Sequence, residues 1–291
     1  MGVVGRDPDP VSNESEVSDP GARNRGAGGP DNRRMNLMPL VSESLNLLWP
    51  ARCAACDETI PEAALFCGPC SLALNPLCGV CPGCALPRHD DPRELVFAGK
   101  RCGRCLRVPL PFTTGNACFE YGEAITRAIV RMKHGKRREL ARRLARLMIP
   151  SLADLLARTK IGPDDVVVPV PLHHAKLRER GFNQALELAR FALIGLAGAP
   201  KLKPARGLPR LERSVLHRTR ETRSLGHASP AARFAEVAGA FVVSDRGRVR
   251  NRRVLIVDDV YTTGATFSEC SDALVTAGAA DVHVLALARA V

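Results

Sequence analysis

The stretch VLIVDDVYTTGAT, residues 254–266, leaves few ways for this chain to fold. Val254 to Val257 read as a buried strand that runs straight into Asp258 and Asp259. Thr262, Thr263, Gly264, Ala265 and Thr266 then turn the chain, and a helix is expected over 266–277, closed by Gly278. A further strand over 282–287 completes a βαβ unit, which requires a parallel pair of strands. Such a strand delivers its last residues to the carboxyl edge of a sheet, where α/β proteins bind ligands. Gly264 permits a tight turn with N–H groups pointing inward, and the following helix adds its positive end. Three threonine hydroxyls complete a cradle for a monophosphate. Asp258 and Asp259 repel the same anion, so they face hydroxyls or a metal. A ribose carrying a 5′-phosphate satisfies both halves. The alternative is a plain strand followed by a solvated turn.

Other phosphate machinery is excluded. The chain has no G-x-x-x-x-G-K-[ST] loop. A response-regulator receiver also carries an acidic pair at a strand end, but on the first strand, with more chain after it than remains here. From residue 120 onward, strand patterns (164–171, 239–243) alternate with helical ones (122–148, 183–196). An α/β domain with a mostly parallel sheet and helices on both faces is therefore expected.

The second strong feature is cysteine. Nine of the eleven lie between 53 and 105, and eight form C-x2-C pairs: Cys53/Cys56, Cys67/Cys70, Cys81/Cys84 and Cys102/Cys105. Two such pairs on neighbouring turns present four thiolates tetrahedrally, the donor set of a structural zinc, so two zinc sites are expected. Four thiolates leave no open coordination position, so neither zinc would be catalytic. Disulfides fit poorly with a chain lacking an export signal. Cys78, three residues before Cys81, is a competing ligand. Cys118 and Cys270 stand alone and read as small buried hydrophobes.

Residues 1–34 are rich in Gly, Pro, Asp, Asn and Ser and cannot bury a core. Met35 or Met38 is an alternative start. The expected organisation is an unstructured extension and linker over 1–44, a double zinc-ribbon module over 45–115 and the α/β domain over 116–291. The apolar stretch Met35 to Trp49 is interrupted by Glu43 and followed by no small-residue cleavage site, and no run is long enough to span a membrane. A cytoplasmic protein is expected.

Lys and Arg number 42 against 30 Asp and Glu, a formal charge of +12. That balance suits phosphorylated ligands or nucleic acid, although arginine-rich composition also arises from GC-rich genomes. The cations concentrate at Arg131, Lys133, Lys136, Arg137, Arg138, Arg142, Arg143 and Arg146, facing a single Glu139. They would make a sequence-blind groove for single-stranded DNA, or simply a solvated helix face. Aromatic residues for base stacking are scarce.

The 254–266 stretch resembles the ribose-phosphate loop of type I phosphoribosyltransferases, which bind phosphoribosyl pyrophosphate (PRPP). The likeness implies that Asp258 and Asp259 hold the ribose hydroxyls and that 262–266 hold the 5′-phosphate. Thr262 stands where the 6-oxopurine branch carries a catalytic aspartate, which disfavours hypoxanthine or guanine as substrate. A fuller resemblance, over most of 45–291, is to the ComF family of competence-related proteins. It rests on the paired C-x2-C module, on YGEAITRAIVRMKHGKRRELA (121–141), on VPVPLHHAKLRERGFNQALELAR (168–190) and on VRNRRVLIVDDVYTTGAT (249–266). RERGFNQ (178–184) is its most specific part.

Family members resemble phosphoribosyltransferases in fold and are linked to uptake of single-stranded DNA. The resemblance implies that amides of Val170, Leu172 and His173 meet pyrophosphate, with Mg²⁺ accompanying PRPP. Arg178 and Arg180, beside Gly181, suit a hood that closes on the leaving group, or else are solvated charges. Arg218, Thr222, Ser229 and Arg233 fit the family pattern, whereas Leu225 and Glu236 replace a Gln and an Asn. Three functions follow: transfer of a phosphoribosyl group to an acceptor, a DNA-binding accessory that keeps the PRPP site as a sensor or relic, and a PRPP-responsive regulator. The last is disfavoured because no helix-turn-helix is found.

Overall fold

Five strands form one all-parallel sheet in the computed structural model, which describes residues 50–62, 64–87, 101–135, 137–222 and 229–291. In chain order they are β1 (Thr114–Glu120), β2 (Val166–Pro169), β3 (Arg210–Leu211), β6 (Arg253–Tyr261) and β7 (Asp281–Arg289), and the spatial order is β1-β7-β6-β2-β3. A two-stranded antiparallel ribbon, β4 (Leu216–Arg218) with β5 (Phe241–Val243), stands apart from it. The helices of this region are α3 (Glu123–His134), α4 (Arg138–Thr159), α5 (His174–Arg180), α6 (Gln184–Ala197), α7 (Pro230–Val237) and α8 (Ala265–Thr276). The extension before residue 35, the alternative starts at Met35 and Met38, and Leu225 lie outside the described residues.

Both faces of the sheet are covered, as expected for a parallel sheet. Alternate residues of the central strands divide accordingly. Leu255, Val257, Leu285 and Leu287 pack with α3, α4 and α6, while Val254, Ile256, Val282 and Val284 pack with Phe267, Cys270 and Leu274 of α8. Among the described residues, no helix is long and apolar enough to cross a membrane.

Two sequence expectations need correcting. The helix expected over 122–148 is two helices, because Gly135 caps α3 and the chain restarts at Arg138. The strand expected to end at Val257 continues to Tyr261, paired with β7 throughout, so both aspartates lie inside it. An acidic pair looks like a strand terminus only when its neighbours are unknown. Here β7 supplies a full ladder, and β2 ends at Pro169 opposite Val257. The ladder leaves the acidic pair projecting beyond the shorter strand.

The cysteine region is a structural duplication. In each half a C-x2-C turn is closed by the same bonds: Asp57 N–H to the Cys53 carbonyl (3.1 Å) and Ala85 N–H to that of Cys81 (2.9 Å). Asp57 and Ala85 occupy equivalent left-handed positions, φ 70° and 55°. Each half then returns through a short helix, α1 (Gly68–Leu72) or α2 (Gly103–Arg107), that carries the second pair. Backbone N–H groups of Cys67 and Cys102 approach the Sγ atoms of Cys53 (3.4 Å) and Cys81 (3.1 Å).

The first half shares a core with the α/β region, since Cys53, Ile60 and Phe66 join the cluster formed by α3, α4 and α6. Asp57 accepts from Arg131 and Arg137, and Arg143 donates to the carbonyls of Arg52 and Ala64, both at 2.8 Å. Cys118 and Cys270 are buried.

Candidate functional site

Two cysteine quartets are assembled: Cys53, Cys56, Cys67 and Cys70, then Cys81, Cys84, Cys102 and Cys105. In each, the sulfur atoms all lie within 4.8 Å of one another, as a tetrahedral metal needs. Cys78 is exposed and belongs to neither. The donor set fits zinc, which would staple the two knuckles of each half and supply no open coordination position.

The larger site is a cavity of about 680 Å³ over the carboxyl ends of β2 and β6. Asp258 and Asp259 form one wall, and Thr262, Thr263, Ala265 and Thr266 form the next. Gly264 sits between them at φ 92° as the residue before α8, and a Cβ there would lie 3.1 Å from the Tyr261 ring. No L-residue takes that conformation without strain, which is why the turn carries glycine.

The two aspartates are unlike. Asp259, only 2% exposed, faces α3 and pairs with the ammonium of Lys133. Burial alone would raise its carboxyl, but Lys133 overrides this and holds it below the usual carboxylate range. Asp258 projects to the opposite face and accepts the N–H of Asp259 at 2.8 Å. Burial first, and the neighbouring Asp259 second, push it well above that range. A group raised in the folded state contributes stability at low pH that is lost as pH climbs through its folded value. Asp258→Asn is therefore expected to stabilise the ligand-free protein at neutral pH by about 1–3 kcal/mol, the range for relieving a poorly solvated polar group. Urea unfolding at two pH values checks this, and the gain should shrink as the medium is acidified.

Arg180 and Lys176 of α5 line the same cavity, with the Lys176 ammonium donating to Glu179 at 2.8 Å. Arg180 donates to Gln184, a polar residue only 5% exposed at the start of α6. Asn183 caps α6 by accepting from the Leu186 N–H (3.2 Å), and its amide donates to the Val170 carbonyl (3.0 Å). The RERGFNQ segment thus joins α5, α6 and the loop after β2. Arg178 is exposed and is not among the residues that line the cavity. Of the expected pyrophosphate amides, that of Val170 already donates to the Val257 carbonyl at 2.9 Å. Leu172 and His173 line the cavity.

The roof consists of Arg218 at the end of β4, Glu221 and Thr222 in the segment after it, and Arg233, Glu236 and Val237 of α7. Burial depresses the Arg218 guanidinium, which lies 5.3 Å from the Phe241 ring centroid. Glu236 lines the cavity. Ser229 instead caps α7 by accepting from the Ala232 N–H at 3.2 Å.

Sequence reasoning missed Lys133, Lys176, Gln184 and Glu221 as cavity residues. Lys133 was visible only as one cation in a basic run. That run is largely consumed inside the chain. Arg131, Arg137 and Arg143 brace the first cysteine half, Arg138 pairs with the buried Glu187 (2.7 Å), and Lys133 pairs with Asp259. Arg142 and Arg146 stay exposed.

No protein-family model matches the chain. It is 30% identical over 226 residues to the DNA utilization protein YhgH of Salmonella typhimurium, covering 77% of this chain and 90% of that protein. It is 28% identical over 219 residues to competence protein F of Haemophilus influenzae, covering 73% and 91%. Among solved structures, a hypoxanthine-guanine phosphoribosyl transferase of L. donovani is 18% identical, covers 51% of this chain and 71% of its own, and has a TM-score of 0.29. A glutamine PRPP amidotransferase from B. subtilis is 24% identical, covers 56% and 28%, and has a TM-score of 0.27.

Proposed function

Because this chain belongs to the ComF family, together with competence protein F and the DNA utilization protein YhgH, we propose that it binds PRPP with Mg²⁺ in the cavity above β6 and transfers the phosphoribosyl group in the service of DNA utilization. The observation that carries the reading is the facing of two unlike half-sites: a carboxylate pair and a glycine-threonine anion turn in one cavity, with Arg180 and Lys176 also lining it.

The ribose diol donates to Asp258 and Asp259, and the 5′-phosphate sits on the 262–266 turn, at the positive end of α8. Arg180 and Lys176 would hold the pyrophosphate oxygens, and Mg²⁺ bound with PRPP would supply further neutralising charge. In transfer, the bond from C1′ to the pyrophosphate oxygen breaks with its electron pair leaving on oxygen. The acceptor, entering beneath the roof, forms the new bond to C1′. The carboxylates face the developing positive charge on the ribose. Lys133 holds Asp259 ionised and oriented for the diol.

Calorimetry with Mg²⁺ and PRPP tests this. Heat of binding is expected for wild type, with weaker binding of ribose 5-phosphate. Asp258→Asn with Asp259→Asn should weaken PRPP by roughly 1.5–3 kcal/mol for each charge-assisted hydrogen bond lost. Equal heats in wild type and the double variant would sink the reading. Pyrophosphate release with a panel of acceptors then separates transfer from binding alone. A parallel titration with single-stranded DNA tests the rival reading of a DNA-binding accessory, which retains the exposed Arg142 and Arg146 in its favour.

A further inference from the structure

Two arginines pull the carbonyl groups of the anion turn away from the cavity. Arg289, the last residue of β7 and 1% exposed, lies 4.1 Å from the centroid of the Tyr261 ring. Its Nη1 donates to the Tyr261 carbonyl (2.9 Å) and to that of Thr262, and its Nε donates to the Cys84 carbonyl at 3.0 Å. Arg104, within α2 between Cys102 and Cys105, extends its Nη2 to the Thr263 carbonyl at 3.4 Å. The Ala290 N–H also donates to the Tyr261 carbonyl, at 2.9 Å.

A trans peptide is planar, so its C=O and N–H point in opposite directions. Drawing the carbonyls of Tyr261, Thr262 and Thr263 toward the second quartet therefore turns the N–H groups of Thr262, Thr263 and Gly264 the other way, in succession. Among the described residues none of these three N–H groups has a protein acceptor. Consecutive unpaired amides of this kind form an anion nest.

We propose that Arg289 and Arg104 are positioning residues for this nest, and that the second cysteine quartet sets its affinity for phosphate. The inference rests on the ribose-phosphate reading above and adds what holds that site in shape. The quartet acts through two attachments, the Cys84 carbonyl that anchors Arg289 and the helix that presents Arg104. Among the described residues the first quartet has no such link. Its braces run from Asp57, Arg52 and Ala64 to α3 and α4. Occupancy of the second quartet is thereby coupled to ligand binding, and loss of its metal relaxes the turn. Arg289 does not line the cavity, yet it bonds two of the three carbonyls that shape the turn.

The test uses the full chain and two probes, inorganic phosphate and Mg²⁺-PRPP, titrated by calorimetry. Amide hydrogen exchange at Ala290 is followed alongside. Arg104→Ala, an exposed change that spares the core, is expected to weaken both probes about threefold, and Arg289→Lys about tenfold or more, since pre-organised donors are lost. Both should speed exchange at Ala290. Arg137→Ala, which trims a brace of the first quartet, should change neither phosphate affinity nor that exchange.

If Arg289→Lys does not fold, Arg104→Ala still decides. Wild-type protein that binds PRPP with both variants equal to it overturns the inference and leaves the proposed function standing. Wild-type protein that binds neither probe overturns both. Weaker binding without faster exchange at Ala290 means the arginines act otherwise than through the turn, and overturns their positioning role.

Discussion

Lys133→Met is expected to destabilise the ligand-free protein by about 3–5 kcal/mol at neutral pH, the cost of stranding a buried carboxylate without its partner. Asp259 is 2% exposed, and Lys133 is the cation in contact with it. The native carboxyl lies below its ordinary value. A depressed group contributes stability that is present above the unfolded value and lost as pH falls through the folded one. In the variant burial still raises the same carboxyl while its main lowering partner is gone, leaving only Asp258 and Arg180 to oppose burial, so it rises and the chain is relieved by protonation. The gap between wild type and Lys133→Met should therefore be widest at neutral pH and close in acid. Urea unfolding across that range measures it. A constant gap would mean that Lys133 stabilises by packing its alkyl stem and not by its charge. PRPP affinity should fall as well, because an Asp259 that takes a proton is a weaker acceptor for a diol.

Purified protein is expected to carry two zinc ions per chain, and stripping them should unfold more than the cysteine region. Structural zinc at a thiolate quartet contributes on the order of 10 kcal/mol of apparent binding free energy near neutral pH, which is folding free energy. Cys53, Ile60 and Phe66 share one core with α3, α4 and α6. Asp57 holds Arg131 and Arg137, and α3 carries Lys133 to the acidic pair. A strong chelator should thus produce one cooperative melt that includes the sheet. Elemental analysis and calorimetric melting check both points. A metal-free protein that melts like the loaded one would refute the structural role. Two separated transitions would mark 45–115 as a module that folds independently of 116–291.

What the sequence determined alone is local. The C-x2-C spacing is chelating geometry within a single turn, so both quartets were legible, and the structure only removed Cys78 from contention. The run from Val254 to Thr266 carried its strand, its positive-φ glycine and its helix start in consecutive residues. Asn183 and Gly278 closed or opened helices where their side chains or their lack of one demanded it.

What the tertiary structure decided is partnership. A basic run has the same charge pattern whether it faces DNA or a neighbouring knuckle, so only the fold could assign Arg137 to Asp57, 80 residues away. Arg289 gave no signal as the last residue of a buried strand, yet it reaches the Cys84 carbonyl across 205 residues. The unlike characters of Asp258 and Asp259 were equally hidden. Adjacent residues of a strand point to opposite faces, and which face holds a cation is set by the helix packed there. Backbone preference and chelation act over a few residues and are written in order along the chain. Burial and charge pairing act through space, between segments that only folding brings together.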